Sequence, residues 1–123
     1  MRPICVTFDD ASPLAPLAWR TEGALERARG LLGRASLADG EGLLIRPCSS
    51  IHTLGMRFTI DAAFLGADGR VLKLARCVAP GRLAWGTARS TFLPWDFQVL
   101  ELPAGALDAA GVAPGRRLVF ADR

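Results

Sequence analysis

The chain is poor in the residues that most often announce a reaction. It holds one histidine, His52, one lysine, Lys73, and three cysteines, Cys5, Cys48 and Cys77, with no C-x-x-C pair. A structural zinc site usually takes four Cys or His ligands, and these are scattered without a paired motif, so neither a metal nor a cofactor is expected. No G-x-x-x-x-G-K-[ST] or G-x-G-x-x-G follows a strand-like run, which removes the usual phosphate cradles, and no G-x-S-x-G elbow supports a hydrolase triad. Long hydrophobic runs are missing too: none reaches the ~20 apolar residues that span a bilayer, and the first ten residues lack the apolar core of a signal peptide. A soluble, cytoplasmic protein is the expectation. Three cysteines leave one over in any disulfide scheme, so a reducing compartment is the simpler reading. A Cys48–Cys77 or Cys5–Cys48 bridge in an exported chain stays open, because geometry decides it.

Positive charge is present but not concentrated. The formal charge is +3, and fourteen of the fifteen basic residues are arginines spread along the chain without a run. Nucleic-acid binding needs those charges gathered on one face, so it is disfavoured. The arginine bias suits bidentate carboxylate or phosphate recognition, and a GC-rich genome produces the same bias.

What is there suits one globular domain over residues 1–123. Half of the 123 residues are hydrophobic and 22% are charged, enough apolar surface for a single core. Ile4, Val6 and Phe8 alternate with polar neighbours as a first strand ending at Asp9-Asp10. Pro13 and Pro16 make residues 12–19 an irregular connection. An amphipathic helix follows, with Thr21 as N-cap, Gly33 as its left-handed stop, and Ala24, Leu25, Ala28, Leu31 and Leu32 along the side that covers a sheet. Residues 42–46 read as a buried strand closed by Pro47. Residues 58–65 and 71–78 form a hairpin about the Gly66-Ala67-Asp68-Gly69-Arg70 loop. A short strand at residues 83–85 sits among loops. Residues 97–102 alternate again, with Phe97, Val99 and Glu101 on one face. A short helix at 104–110 and a last strand at 117–120 complete the chain. The fold class is α+β: a small mixed or antiparallel, partly barrel-like sheet with one amphipathic helix and one short C-terminal helix.

The most polar chemistry lies between Cys48 and Asp61, just before the hairpin. His52 is the side chain that titrates near neutral pH and is the candidate general base, with Asp61 to orient it. Arg57 and Asp61, at i and i+4 of a strand, share a face and suit a ligand carboxylate or each other. Glu101, inside an apolar strand, requires a partner such as Arg57, Arg46 or Arg34. Cys48 is a nucleophile only if its thiol pKa is lowered.

Four ordered motifs carry a resemblance. They are residues 26–34 (ERARGLLGR), 51–61 (IHTLGMRFTID), 68–71 (DGRV) and 99–105 (VLELPAG). Together they resemble the prokaryotic family known as domain of unknown function 192, over about residues 20–120. The resemblance implies a compact α+β domain without an established activity, and its pattern carries onto Arg27, Gly30, Leu31, Arg34, Met56, Asp61, Phe64, Gly69, Glu101, Ala104 and Gly105. The Ile51 to Arg57 stretch replaces an aromatic-Met-Lys-Asn-Thr run, and Gly115-Arg116 replaces Gly-Asp.

The leading expectation is a non-enzymatic domain that binds a small polar ligand or a protein partner, with Arg57, Asp61, His52, Glu101 and Thr53 as ligand-binding residues. The first alternative is a hydrolase or transferase with His52 as base. The second is a pilus or secretion accessory module with an apolar patch of Trp85, Trp95 and Phe92.

Overall fold

A computed structural model of the chain describes residues 1–87 and 94–123. Among these residues a seven-stranded sheet runs in the order β6-β5-β8-β3-β2-β1-β9, and β4 pairs with β7 as a separate ribbon. The strands are β1 (Arg2–Phe8), β2 (Pro13–Arg20), β3 (Glu41–Ile45), β4 (Ser50–His52), β5 (Ile60–Gly66), β6 (Val71–Val78), β7 (Leu83–Trp85), β8 (Phe97–Pro103) and β9 (Leu118–Asp122). Two short helices accompany them, α1 (Ala24–Arg29) and α2 (Ala106–Ala109). All described pairings are antiparallel except β2 with β3. The α+β class, the hairpin, the short strand and the last strand stand where the sequence puts them.

The sheet is open and does not close into a barrel. Among the described residues its two outer strands meet near their beginnings, at a bridge between Arg70 and Arg117 and the backbone bonds around it. There the Leu118 N–H donates to the Gly69 carbonyl at 2.9 Å. Gly69 has φ +88°, and a Cβ on it would stand 2.2 Å from the Leu118 oxygen, so the contact requires glycine.

Two expectations are overturned. Residues 12–19 are not an irregular connection: they form most of β2, which lies between β1 and β3. The prolines are accommodated because the β1 pairing shifts register around them and the β3 pairing begins only at Leu17, beyond Pro16. A missing N–H costs a strand least at its first residue, at a bulge or where one side is unpaired. The amphipathic helix, too, is only six residues long and buries none of them; Leu25 is 81% exposed. Gly30, at φ +51°, ends it, and Leu31 and Leu37 in the following loop reach the core instead. Thr21 is no cap. Its N–H bonds the Leu44 carbonyl and its hydroxyl accepts the Arg46 N–H, pinning the ends of β2 and β3 together.

Each face of the sheet carries its own apolar cluster. Leu44, Ala63, Leu65, Leu100 and Leu102 pack with Leu107 of α2 on one face, and Leu43, Ile45, Ala62, Phe64 and Val99 pack with Leu31, Ile51 and Met56 on the other. Strand alternation assigns these faces, and it decides which candidate residues meet.

Candidate functional site

On β5 and β8, Asp61 stands opposite Leu102 and Ala62 opposite Glu101. Facing partners share a face, so Asp61 belongs to the α2 side of the sheet and Glu101 to the other. The two acids point away from each other. Asp61 is 1% exposed, and its carboxylate accepts the Cys77 N–H at 2.9 Å, the Gly105 N–H at 3.1 Å and the Leu107 N–H at 3.0 Å. It ties the bulged end of β6 to the start of α2.

Arg57 does not lie on the strand. It lies in a bend at residues 57–58, just after a turn with Gly55 at φ +80°, and β5 begins only at Ile60; its exposed guanidinium has no partner among the described residues. Thr53 is fully buried, and its hydroxyl donates to the Ala79 carbonyl at 2.6 Å and accepts the Arg82 N–H at 2.8 Å. It fastens the loop before β7 onto β4.

His52 and Glu101 do meet at one cavity, of about 60 Å³, between α1 with its following turn and the β3, β4 and β8 strands. Leu31, Leu32, Ile45, Ile51 and Met56 supply its apolar walls. Arg27, Cys48, Ser50 and His52 supply the polar ones, and Glu101 rises from the central strand. Gly30 backs onto the acid: a Cβ there would stand 3.9 Å from Glu101 Oε1. The space holds a few waters or the tip of a small molecule.

The expected partner of Glu101 is absent among the described residues. Arg34 is engaged by Glu41 at 3.1 and 3.2 Å, and Arg57 and Arg46 are exposed. The acid is 3% exposed with no hydrogen bond or ion pair, and burial alone lifts its pKa from 4.5 to about 7. A carboxyl can be buried without a cation while it stays protonated, and desolvation extends that protonated range up to about pH 7 here. Desolvation is also the first cause that raises the Cys48 thiol pKa, with the nearby Glu101 charge adding to it and the Ser50 backbone and Arg27 opposing. Cys48 Sγ donates to the Ser50 carbonyl at 3.0 Å, so it is held as a thiol and not as a thiolate nucleophile. His52 is exposed at the rim, and its ring has no bonded partner among the described residues.

Arg27 and Cys48 therefore belong to the site although neither stood among the expected ligand residues. The signal for Arg27 was positional: α1 ends at Gly30, which faces Glu101, and Arg27 is one turn earlier. Among the described residues no group of three or more His, Cys, Asp or Glu side chains is placed to hold a metal. Of the expected apolar patch, Trp85 is 56% and Trp95 74% exposed, while Phe92 lies outside the described residues.

Fold and cavity define a small α+β domain with a buried acid that has no partner among the described residues, set in a cleft. The chain belongs to the family DUF192, described as "Uncharacterized ACR, COG1430", whose model matches residues 16–120. Five of the positions onto which that family's pattern carries, Arg27, Gly30, Leu31, Met56 and Glu101, line the cavity. A protein of unknown function from Novosphingobium aromaticivorans DSM 12444 is similar in structure, with a TM-score of 0.71 and 25% identity over 95% of this chain and 83% of that one. A protein from Sinorhizobium meliloti 1021, provisionally described as a transcription regulator, has a TM-score of 0.76 and 21% identity over 97% of this chain and 92% of that one, a likeness of fold alone. No curated protein matches the chain. No described helix is long and apolar enough to cross a membrane.

Proposed function

We propose that this domain binds a small polar molecule in the cavity beside α1, with Glu101 as the group that recognises it. The carboxyl itself carries the reading: it is buried, has no partner among the described residues and faces open space. Leaving such a group without a hydrogen bond costs stability, and a ligand that donates N–H bonds to it offsets that cost on binding. An amine, amidine or amide is the fitting chemistry. The walls of Leu31, Ile45, Ile51 and Met56 favour a narrow, otherwise apolar inserted portion, with Arg27 and His52 at hand for a polar remainder. Asp61 and Thr53 enter this reading as supports that hold the surrounding backbone; Arg57 does not line the cavity and has no part in it.

A thermal-shift screen of amines, sugars, nucleotides and carboxylates tests it. A stabilising ligand should lose about tenfold or more in affinity in Glu101→Gln, which keeps the shape of the side chain. A screen without hits, or a hit that Glu101→Gln leaves unchanged, would sink the proposal. The reading of His52 as a base in hydrolysis or group transfer draws on one observation, that its ring shares a cavity with an acid titrating near 7. Esterase, phosphatase and glycosidase panels decide that reading, and equal turnover by His52→Ala removes it.

A further inference from the structure

Beside the Glu101 cavity, and sharing Arg27 with it, lies an open depression of about 410 Å³ lined by Arg20, Thr21, Glu22, Arg27, Arg46 and Pro47. Three arginines reach it from three elements: Arg20 ends β2, Arg46 follows β3, and Arg27 sits on α1. Their grouping is built in. Arg20 pairs with Leu44 in the parallel β2–β3 ladder, and the buried Thr21 hydroxyl accepts the Arg46 N–H at 3.4 Å, so the two strand ends run side by side beneath α1.

Residue type says little here, because almost every basic residue of this chain is arginine. Engagement says more. Arg2, Arg34, Arg70 and Arg76 have carboxylate partners, Arg116 and Arg123 lie over aromatic rings, and Arg117 donates to the Asp68 carbonyl. Six described arginines have no side-chain partner: Arg20, Arg27, Arg29, Arg46, Arg57 and Arg82. Half of them share this one depression. Among the described residues the one acid that lines the depression, Glu22, is exposed and stands 3.9 Å from the N-terminal ammonium.

We propose that Arg20, Arg27 and Arg46 form a subsite for an oxyanion, the phosphate or carboxylate group of a small molecule. Guanidinium forks bind such groups through paired, charge-assisted hydrogen bonds and stay charged throughout the accessible pH range. An anion relieves the mutual repulsion of the three cations, none of which has an ion pair among the described residues. Arg27 lines both spaces, so one ligand can set its anion here and an N–H donor against Glu101. The subsite stands on the arginine grouping and does not depend on that second contact.

Calorimetric titration at low salt with inorganic phosphate, and separately with acetate, tests it. Saturable one-to-one binding of either is the expected result. Phosphate alone identifies a phosphate group and acetate alone a carboxylate. Arg20→Gln and Arg46→Gln should each weaken binding about tenfold, while Arg57→Gln, equally unpaired but outside the depression, changes it less than about twofold. Arg46 is exposed, so Arg46→Gln decides alone if Arg20→Gln does not fold. The titration uses the anion alone, so its failure leaves the Glu101 cavity reading standing, and an amine screen without hits leaves the subsite standing. Absence of saturable binding to both anions overturns the proposal. So does an equal loss in Arg57→Gln, which would reveal diffuse charge.

Discussion

Asp61 and Glu101 are both almost fully buried on neighbouring strands, and their surroundings treat them in opposite ways. Asp61 receives three backbone N–H groups, from Cys77, Gly105 and Leu107, and is part of the framework. Removing it strands the buried Leu107 N–H at the start of α2 together with the part-buried N–H groups of Cys77 and Gly105. Each stranded donor costs about 1–3 kcal/mol, with incomplete additivity, so Asp61→Ala should lose about 3–5 kcal/mol in urea unfolding. Asp61→Asn keeps one acceptor oxygen and should lose less. A loss below about 1 kcal/mol in Asp61→Ala would mean that these bonds do not hold the β6 bulge and α2 together. The sequence showed that Asp61 and Glu101 were unusual, but not which was satisfied. Satisfaction here comes from backbone groups sixteen to forty-six positions away, and no local pattern encodes them.

At the scale of elements, legibility followed how far each segment depends on its own residues. The hairpin was readable because Asp68 and Gly69 make its turn locally: Asp68 Oδ1 accepts the Arg70 N–H at 3.0 Å and Gly69 takes positive φ. β2 was not, because its prolines argue against a strand and only the shifted β1 register and the late start of the β3 ladder admit them. α1 was over-read: Leu25, Leu31 and Leu32 have helical spacing, but Gly30 breaks the run and a six-residue helix has little stability of its own. Gly69 also does something no turn pattern reveals, since it lets β9 approach the hairpin loop. Gly69→Ala should therefore cost about 2–4 kcal/mol, because backbone must move as well as adopt a strained φ. Gly81→Ala, at φ +80° with nothing within 4 Å, should cost only about 1 kcal/mol. Parallel urea denaturation of the two variants measures the difference, and equal losses would show that the Leu118 contact is without weight.

For the molecule as a whole, the two-sided sheet explains why the expected site divided. Residues close in sequence, Asp61 with Arg57 and His52, were grouped on the page, yet alternation sends Asp61 to one face while Glu101, forty positions later, joins His52 at the other. The inward face of Glu101 was readable from Phe97 and Val99; the β5 register that separates it from Asp61 was not. The chain as a whole bears the cost of that unpartnered acid, and pH exposes it. In the unfolded chain Glu101 ionises around 4.5, and in the fold around 7. Below 4.5 it is protonated in both states and its contribution to stability is intact. As pH rises through 7, the unfolded state gains by ionising first, and the folded protein loses up to about 3 kcal/mol. Glu101→Gln cannot ionise, so it should match the native chain near pH 4.5 and exceed its stability by about that amount at pH 8. Glu41 shifts the other way, held below the usual carboxylate range first by the Ala38 N–H and then by Arg34, so its stabilisation is lost only as pH falls. Comparing native and variant at each pH cancels that opposing slope. Denaturant unfolding at pH 5 and pH 8 reads the effect, and a variant no more stable than the native chain at pH 8 would mean that Glu101 already has a partner in solution. The gain in stability together with the loss of ligand affinity is the signature of a recognition group, because an acid kept for folding would cost stability when replaced, and an acid without a role would be replaced with no loss of binding.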